Sequence, residues 1–150
     1  MVCKIAQWNL GRGKVATEEA VRRCLEERVD ILLIQEPYSV GRKLKISGGR
    51  AFYDMSGRDD VWSAVLVLND EIDVLMDNRE TSGSCVSVKM EYRGSCMQVV
   101  SLYCRPSEPI DGYLALLMNI IRKRDGKGVL CGGEWASFPK YGKRVWSRFF

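Results

Sequence analysis

Apolar and polar positions along the chain alternate with two different periods, and the change of period marks out its elements. Residues 3–9 (CKIAQWN) alternate singly and predict a strand, which Gly11-Arg12-Gly13 breaks. Thr17 is placed to cap a helix, with Glu18 and Glu19 in a first turn that favours acidic groups. Ala20, Val21, Cys24 and Leu25 then form a helical stripe reaching about Arg28. Asp30 to Gln35 (DILLIQ) is a nearly continuous apolar run, the pattern of a strand buried on both faces, and Pro37 ends it.

Residues 38–60 read as loop, with Gly41, Gly48, Gly49 and Gly57. Four strands are predicted next, at 61–68, 71–76, 84–91 and 96–103, arranged in hairpins with turns at Asn69-Asp70 and Arg93-Gly94. Ser107 is the expected cap of a second helix, with Pro109 near its first turn. Ile110, Tyr113, Leu114, Leu117, Ile120 and Ile121 form its amphipathic stripe, Arg122 to Arg124 close it, and Asp125-Gly126 stops it. Lys127 to Cys131 predicts a short strand, and everything after Gly132 reads as loop. The order implies an α/β fold of mixed sheets with helices outside. Because the last strand runs into basic loop and Arg148-Phe149-Phe150, residues 1–150 read as a single incomplete domain.

Composition narrows the class. Apolar residues make up 46% and charged residues 28% of the chain, as in ordinary globular proteins. No apolar run approaches the ~20 residues that span a bilayer, and the N-terminus lacks the features of a signal peptide. An intracellular protein without a membrane partner is expected. The six cysteines form no CxxC pair and fit no zinc spacing, so buried free thiols are the better reading. The net charge of +4 leans mildly toward polyanions. It is concentrated in Arg42, Lys43, Lys45 and Arg50 and again in Lys140, Lys143, Arg144 and Arg148, which on charge alone are solvated loops. The chain has no histidine, which excludes any mechanism needing an imidazole from this chain alone.

Asn9 and Glu36 each end a predicted strand, where ligands of α/β sheets gather. A carboxylate beside an amide is an acceptable oxygen set for Mg²⁺. On pattern alone a turn amide and a strand-end charge are preferred. Tyr103 ends a third strand, beside Arg105, and its phenol suits a phosphate contact, although such a tyrosine is more often half-buried structure. Gly11-Arg12-Gly13 could turn backbone N–H groups toward a phosphate. Trp8 and Trp62 read as core.

Four stretches combine these fragments: AQWNLGRGKVATEE (6–19), DILLIQEPY (30–38), VVSLYCRPSEPIDGYL (99–114) and GVLCGG with ASFPKYG (128–142). Together they resemble the endonuclease/exonuclease/phosphatase superfamily. More narrowly they resemble the apurinic-type endonuclease domain of non-LTR retrotransposons. The resemblance implies a four-layer α/β sandwich, here partial and without its C-terminal strands. It implies Mg²⁺ or Mn²⁺ as cofactor, DNA as partner and substrate, phosphodiester hydrolysis that nicks a target site, a reverse transcriptase domain on the same chain, and a nuclear location. Asn9 and Glu36 take the metal positions and, with Tyr103 at the scissile phosphate, the catalytic ones. Arg12, Arg42, Lys43 and Arg105 are the candidate nucleic-acid contacts.

The same comparison exposes departures. The family carries an Asp-x-Asn motif after the strand at 127–131, the Asp activating water and the Asn holding phosphate. The ungapped match, anchored on Ala136, Pro139, Tyr141 and Gly142, puts Gly133 and Trp135 there. A shift of one residue offers Glu134 for the Asp, but the Asn is still lost. The family's later Asp and its Ser-Asp-His motif would lie beyond residue 150. Loss of these groups implies little or no cleavage by this chain. The competing readings are an inactive remnant, an enzyme whose remaining part lies in a longer chain, and a non-catalytic nucleic-acid-binding module. A lipid or inositol phosphatase fits the QEPY and SEPID stretches less well. An uncovered sheet edge is expected to make the chain poorly soluble.

Overall fold

A computed structural model describes residues 2–124, 128–135 and 144–149. The elements run β1 (Val2–Asn9), α1 (Lys14–Glu26), β2 (Ile31–Gln35), β3 (Ser39–Val40), β4 (Lys43–Leu44), β5 (Arg50–Phe52), β6 (Ser63–Val67), β7 (Asp73–Met76), β8 (Cys85–Tyr92), β9 (Ser95–Cys104), α2 (Ile110–Arg122), β10 (Val129–Trp135) and β11 (Arg144–Phe149). One sheet has the order β11-β1-β2-β6-β5 and a second the order β10-β9-β8-β7, while β3 and β4 pair separately as a small hairpin. The β1–β2 and β9–β10 pairings are parallel, and the others within the two sheets are antiparallel. Both sheets are therefore mixed, as the sequence predicts.

The layering follows from which face each residue takes. Cys3, Ile5, Ile31, Leu33, Val65 and Val67 of the first sheet meet Val86, Val88, Met90, Met97 and Val99 of the second in one core between the sheets. The alternate residues Ala6, Leu32, Ile34, Ala64 and Leu66 pack with Ala20, Val21 and Cys24 of α1. On the far side, Val100, Leu102 and Cys104 pack with Tyr113 and Ile120 of α2. The result is the helix–sheet–sheet–helix order expected of the four-layer sandwich. β2 is buried at every position, because it has a core on each face. Burial pushes the thiols of Cys3 and Cys85 up to about 12, so these cysteines are neutral apolar filling at physiological pH.

Near the ends of β1, β2 and β6 the intersheet core turns polar. Gln7, Gln35, Ser63 and Ser101 are all buried there. Gln7 donates to Gln35 Oε1 at 2.7 Å, Gln35 to Ser101 Oγ at 3.0 Å, and Ser63 to Ser101 Oγ at 2.7 Å. Gln7 also donates to the carbonyl of Gly133 at 3.2 Å, and Ser101 to that of Ile34 at 3.1 Å. Buried polar atoms are costly unless bonded. This layer bonds nearly all of its own, leaving Gln7 Oε1 without a partner among the described residues. It also stitches the two sheets together in a fixed relative position.

Several elements differ from the sequence reading, each for a local reason. Helix α1 begins at Lys14, because Gly13 takes the extended cap conformation. Thr17 is thus inside the first turn, donating to the Gly13 carbonyl at 2.8 Å, and the first turn holds no acidic residue. Leu25 lies on the flank of the stripe and is 54% exposed. Pro109, with no side-chain bond, stands at the cap of α2 in place of Ser107. The segment read as loop at 38–60 contains the β3–β4 hairpin and edge strand β5. These strands are too short to show a period. Asn69-Asp70 does not close a hairpin, since β6 and β7 belong to different sheets. Asn69 instead anchors to Asp30, its amide donating to Oδ1 at 2.8 Å. Arg93-Gly94 does close one, with φ of 52° and 79°, as a two-residue turn with both φ positive requires.

β10 continues to Trp135, and residues 144–149, read as loop, form β11 against β1 from Val2↔Phe149 to Gln7↔Arg144. This pairing covers the β1 edge. The stop at Asp125-Gly126, the anchors Ala136, Pro139, Tyr141 and Gly142, and the basic Lys140 and Lys143 lie outside the described residues.

The two leucines of opposite fate give a direct test of the layering. Leu33→Ala is expected to lower the unfolding free energy by about 2–5 kcal/mol, and Leu25→Ala by less than about 0.5 kcal/mol, in urea titrations. Equal losses would contradict the assigned face of α1.

Candidate active site

Parallel pairing sets Asn9 level with Gln35, so that Glu36, one residue on, emerges beside it. Asn9 is buried; its Oδ1 accepts from the Gly11 N–H at 2.9 Å, and its Nδ2 donates to Glu36 Oε1 at 3.2 Å. The amide thus fixes the turn after β1 and aims the carboxylate. Glu36 has φ of 48°, a left-handed conformation unusual for a residue with a side chain. It is held there from both sides. Its N–H donates to the Trp62 carbonyl at 2.8 Å, and its carbonyl accepts from the Arg12 N–H at 2.7 Å. Backbone strain that neighbours enforce in this way clusters at functional positions.

Tyr103, near the end of β9, is buried, and its ring stacks on Trp62 with centroids 5.4 Å apart and planes 6° from parallel. The Arg12 guanidinium lies over the same indole at 3.8 Å, and that of Arg105 at 5.5 Å. Three of the residues singled out in the sequence, Arg12, Tyr103 and Arg105, thus meet on a fourth that was read as core. Trp62 is half-buried at the mouth of the polar layer, and its backbone carries Glu36. It has no distinct signal in the sequence, since it falls inside the predicted strand 61–68; in the structure it lies one position before β6. Trp8 does pack as core, on the α1 side.

The arginines are held by carboxylates that the sequence reading did not single out. Arg105 pairs with Asp59, donates to Ser84 Oγ at 2.8 Å and reaches Glu108 at 3.4 Å. Arg12 and Arg42 approach Asp60 at 3.9 and 3.5 Å. Glu108 also accepts from the Tyr113 hydroxyl, which itself accepts from the Arg105 N–H at 3.1 Å. Burial, together with the Glu108 carboxylate, raises the Tyr113 phenol above its ordinary pKa. The acidic residues are set in place by Gly83. A Cβ at Gly83 would lie 2.4 Å from the Asp60 carbonyl, so the loop docks there by close approach. Lys43 opens β4 and is exposed.

The register of β10 bears on the Asp-x-Asn question. Glu134 pairs with Tyr103 and Gly133 with Leu102. Leu130 packs against the intersheet core, and Gly132 follows it on the same alternation. A Cβ at Gly133 would lie 2.7 Å from the Leu102 carbonyl, a distance side chains do not reach.

No family model matches the chain, and no curated protein matches it by sequence. Among solved structures, the endonuclease domain of TRAS1, a telomere-specific non-LTR retrotransposon, superposes with a TM-score of 0.78 and 31% identity, covering 88% of this chain and 58% of that one. D. rerio TDP2 complexed with a single-strand DNA product gives 0.57 at 12% identity, covering 88% and 60%. The AP endonuclease LMAP from Leishmania major gives 0.58 at 12% identity, covering 88% and 54%. The chain thus spans 58% of the TRAS1 domain's length.

The strain at Glu36 is open to measurement. Glu36→Gly is expected to be more stable than Glu36→Val by about 1–3 kcal/mol, since glycine accepts this φ and a β-branched residue does not. Equal stabilities in chemical unfolding would mean that the site stores no backbone strain.

The chain therefore has the endonuclease/exonuclease/phosphatase fold, in a form similar to a non-LTR retrotransposon endonuclease domain.

Proposed function

We propose that this chain carries the metal-holding and phosphate-facing part of a DNA endonuclease of the non-LTR retrotransposon kind, and that by itself it cleaves DNA little or not at all. The observation that carries the reading is the Asn9–Glu36 pair: a carboxylate aimed by an amide and held in a strained backbone at adjoining strand ends. The 31% identity to the TRAS1 endonuclease domain supports DNA as the substrate. A reverse transcriptase domain on the same natural chain and a nuclear place of work belong to the same reading. Among the described residues no helix is long and apolar enough to cross a membrane.

Mg²⁺ or Mn²⁺ fits this donor set in a limited way. Among the described residues no three His, Cys, Asp or Glu side chains converge. Glu36 would be the one carboxylate ligand, with water completing the shell, an arrangement Mg²⁺ accepts. When bound, the ion would polarise the phosphodiester and offset its charge. Asn9 steers Glu36 through its Nδ2, and the second lone pair of its Oδ1, which already accepts from Gly11, is open to the ion or its water. The Tyr103 phenol meets the phosphate, and Arg12 and Arg105 lend positive charge beside it, with Arg42 and Lys43 further out.

The groups that would activate water are poorly matched. Glu134 carries its carboxylate one methylene further than an Asp would, and a misplacement of ~1 Å can cost ~100-fold in rate. Trp135 cannot hold a phosphate as an Asn does, and the chain has no histidine to steady developing charge. These substitutions favour a second reading in which the domain binds nucleic acid without cutting it.

Nicking of supercoiled plasmid with Mg²⁺ or Mn²⁺ tests the claim of inactivity. Wild type is expected to match the Glu36→Ala variant at background level. Nicking by wild type that disappears in Glu36→Ala would overturn that claim and establish an active enzyme.

A further inference from the structure

We propose that the cleft between the first turns of α1 and the β3–β4 hairpin is a second nucleic-acid contact, in which Lys14 and Lys45 hold a backbone phosphate. The inference rests on the nucleic-acid reading above and assigns a place to it. The cleft has a volume of about 300 Å³, and its walls combine the charged Lys14 and Glu18 of α1 and Lys45 from the segment around the hairpin with the apolar Val21, Leu44 and Ile46. That is the small end of ligand pockets, suited to one unit of a polymer that continues outside.

Its position ties it to the Glu36 site. Arg12, two residues before α1, bonds the Glu36 carbonyl, and Tyr38, two residues after Glu36, donates its N–H to Thr17 Oγ1 at 3.3 Å. The Tyr38 carbonyl accepts from the Lys45 N–H at 3.1 Å. The two chain segments leaving the site therefore run side by side into the cleft. A strand of nucleic acid with one phosphate at Glu36 and Tyr103 can follow them.

Charge selects the ligand. Arg12, Arg42 and Arg105 are already paired with Asp59, Asp60 or Glu108. A phosphate reaching them must share or displace a carboxylate. Lys14 and Lys45 have no ion pair among the described residues. A phosphate there displaces water and counterions, the release that drives polyanion binding. Glu18 stands at the same wall, leaving the cleft a net single positive charge, enough for one phosphodiester and poorly suited to a doubly charged monoester. Lysine, a point charge on a flexible stem, suits a backbone phosphate whose angle varies with sequence.

The test is fluorescence anisotropy of a labelled 20-base-pair duplex at salt concentrations from 50 to 200 mM, comparing wild type, Lys14→Ala/Lys45→Ala and Lys89→Ala. Lys89 is exposed on β8 and controls for loss of positive charge. The double variant is expected to bind more weakly and to lose about 1 from the slope of log affinity against log salt, as the loss of one phosphate contact requires. Lys89→Ala is expected to lose neither. If wild type binds and the double variant keeps its affinity and slope, the cleft is not a contact and the function reading stands. If wild type does not bind the duplex, the nucleic-acid reading itself falls and the cleft with it. Far-ultraviolet circular dichroism of the variants separates a lost contact from a lost fold.

Discussion

The site depends on the parallel pairing of β1 with β2. In an antiparallel pair the C-terminal ends of two strands lie at opposite edges. Here Asn9 and Gln35 are level, and the next residue, Glu36, emerges where the β1 turn begins. Parallel pairing requires a crossover, and α1 supplies it. The helix can lie close to the sheet because Thr17, Ala20 and Cys24 on its inner face are small. The second sheet must then be held at a fixed height so that Tyr103 reaches the same level. The Gln7–Gln35–Ser101–Ser63 layer does this, since a slip between the sheets would leave several buried polar atoms without partners.

Above that layer the site is organised by an aromatic ring and by paired charges. Trp62 bonds the Glu36 backbone, stacks with Tyr103 and lies beneath Arg12, so one residue links both sheets and the β1 turn. The arginines that the resemblance assigns to DNA are held by Asp59, Asp60 and Glu108. The solvent-exposed pairs of Arg12 and Arg42 with Asp60 contribute little to stability individually. Their effect is to fix where positive charge stands and to make a phosphate compete for it. Lys14 and Lys45, which have no ion pair among the described residues, offer charge without that competition, and the proposed phosphate cleft therefore adjoins the Glu36 site and does not coincide with it.

Much of this was legible in the sequence where pattern or motif is strong. The buried run of β2, the stripe of α2 and the Arg93-Gly94 turn carry their own physical signals, and Asn9, Glu36 and Tyr103 lie at the ends of readable strands. Other features depend on partners distant in sequence. Trp62 reads as core because nothing local announces Arg12 or Tyr103. β5 is three residues long and becomes a strand only because β6 offers an edge. Asn69-Asp70 has hairpin composition, but the strands it joins separate into different sheets. β11 pairs with β1 across nearly the whole chain, and a reading of local periods cannot register such a pairing. The close approach of Gly133 to the Leu102 carbonyl likewise shows only in the register of β10 against β9.

The central claim is that the ends of β1 and β2 form the divalent-ion position, with Glu36 as its carboxylate. Paramagnetic broadening of backbone amide signals on titration with Mn²⁺ tests it directly. The account predicts that the amides of Gly11, Arg12, Glu36 and Trp62 broaden first, and that Glu36→Ala abolishes the effect. Broadening centred on Asp59 and Asp60, or unchanged in Glu36→Ala, would contradict it.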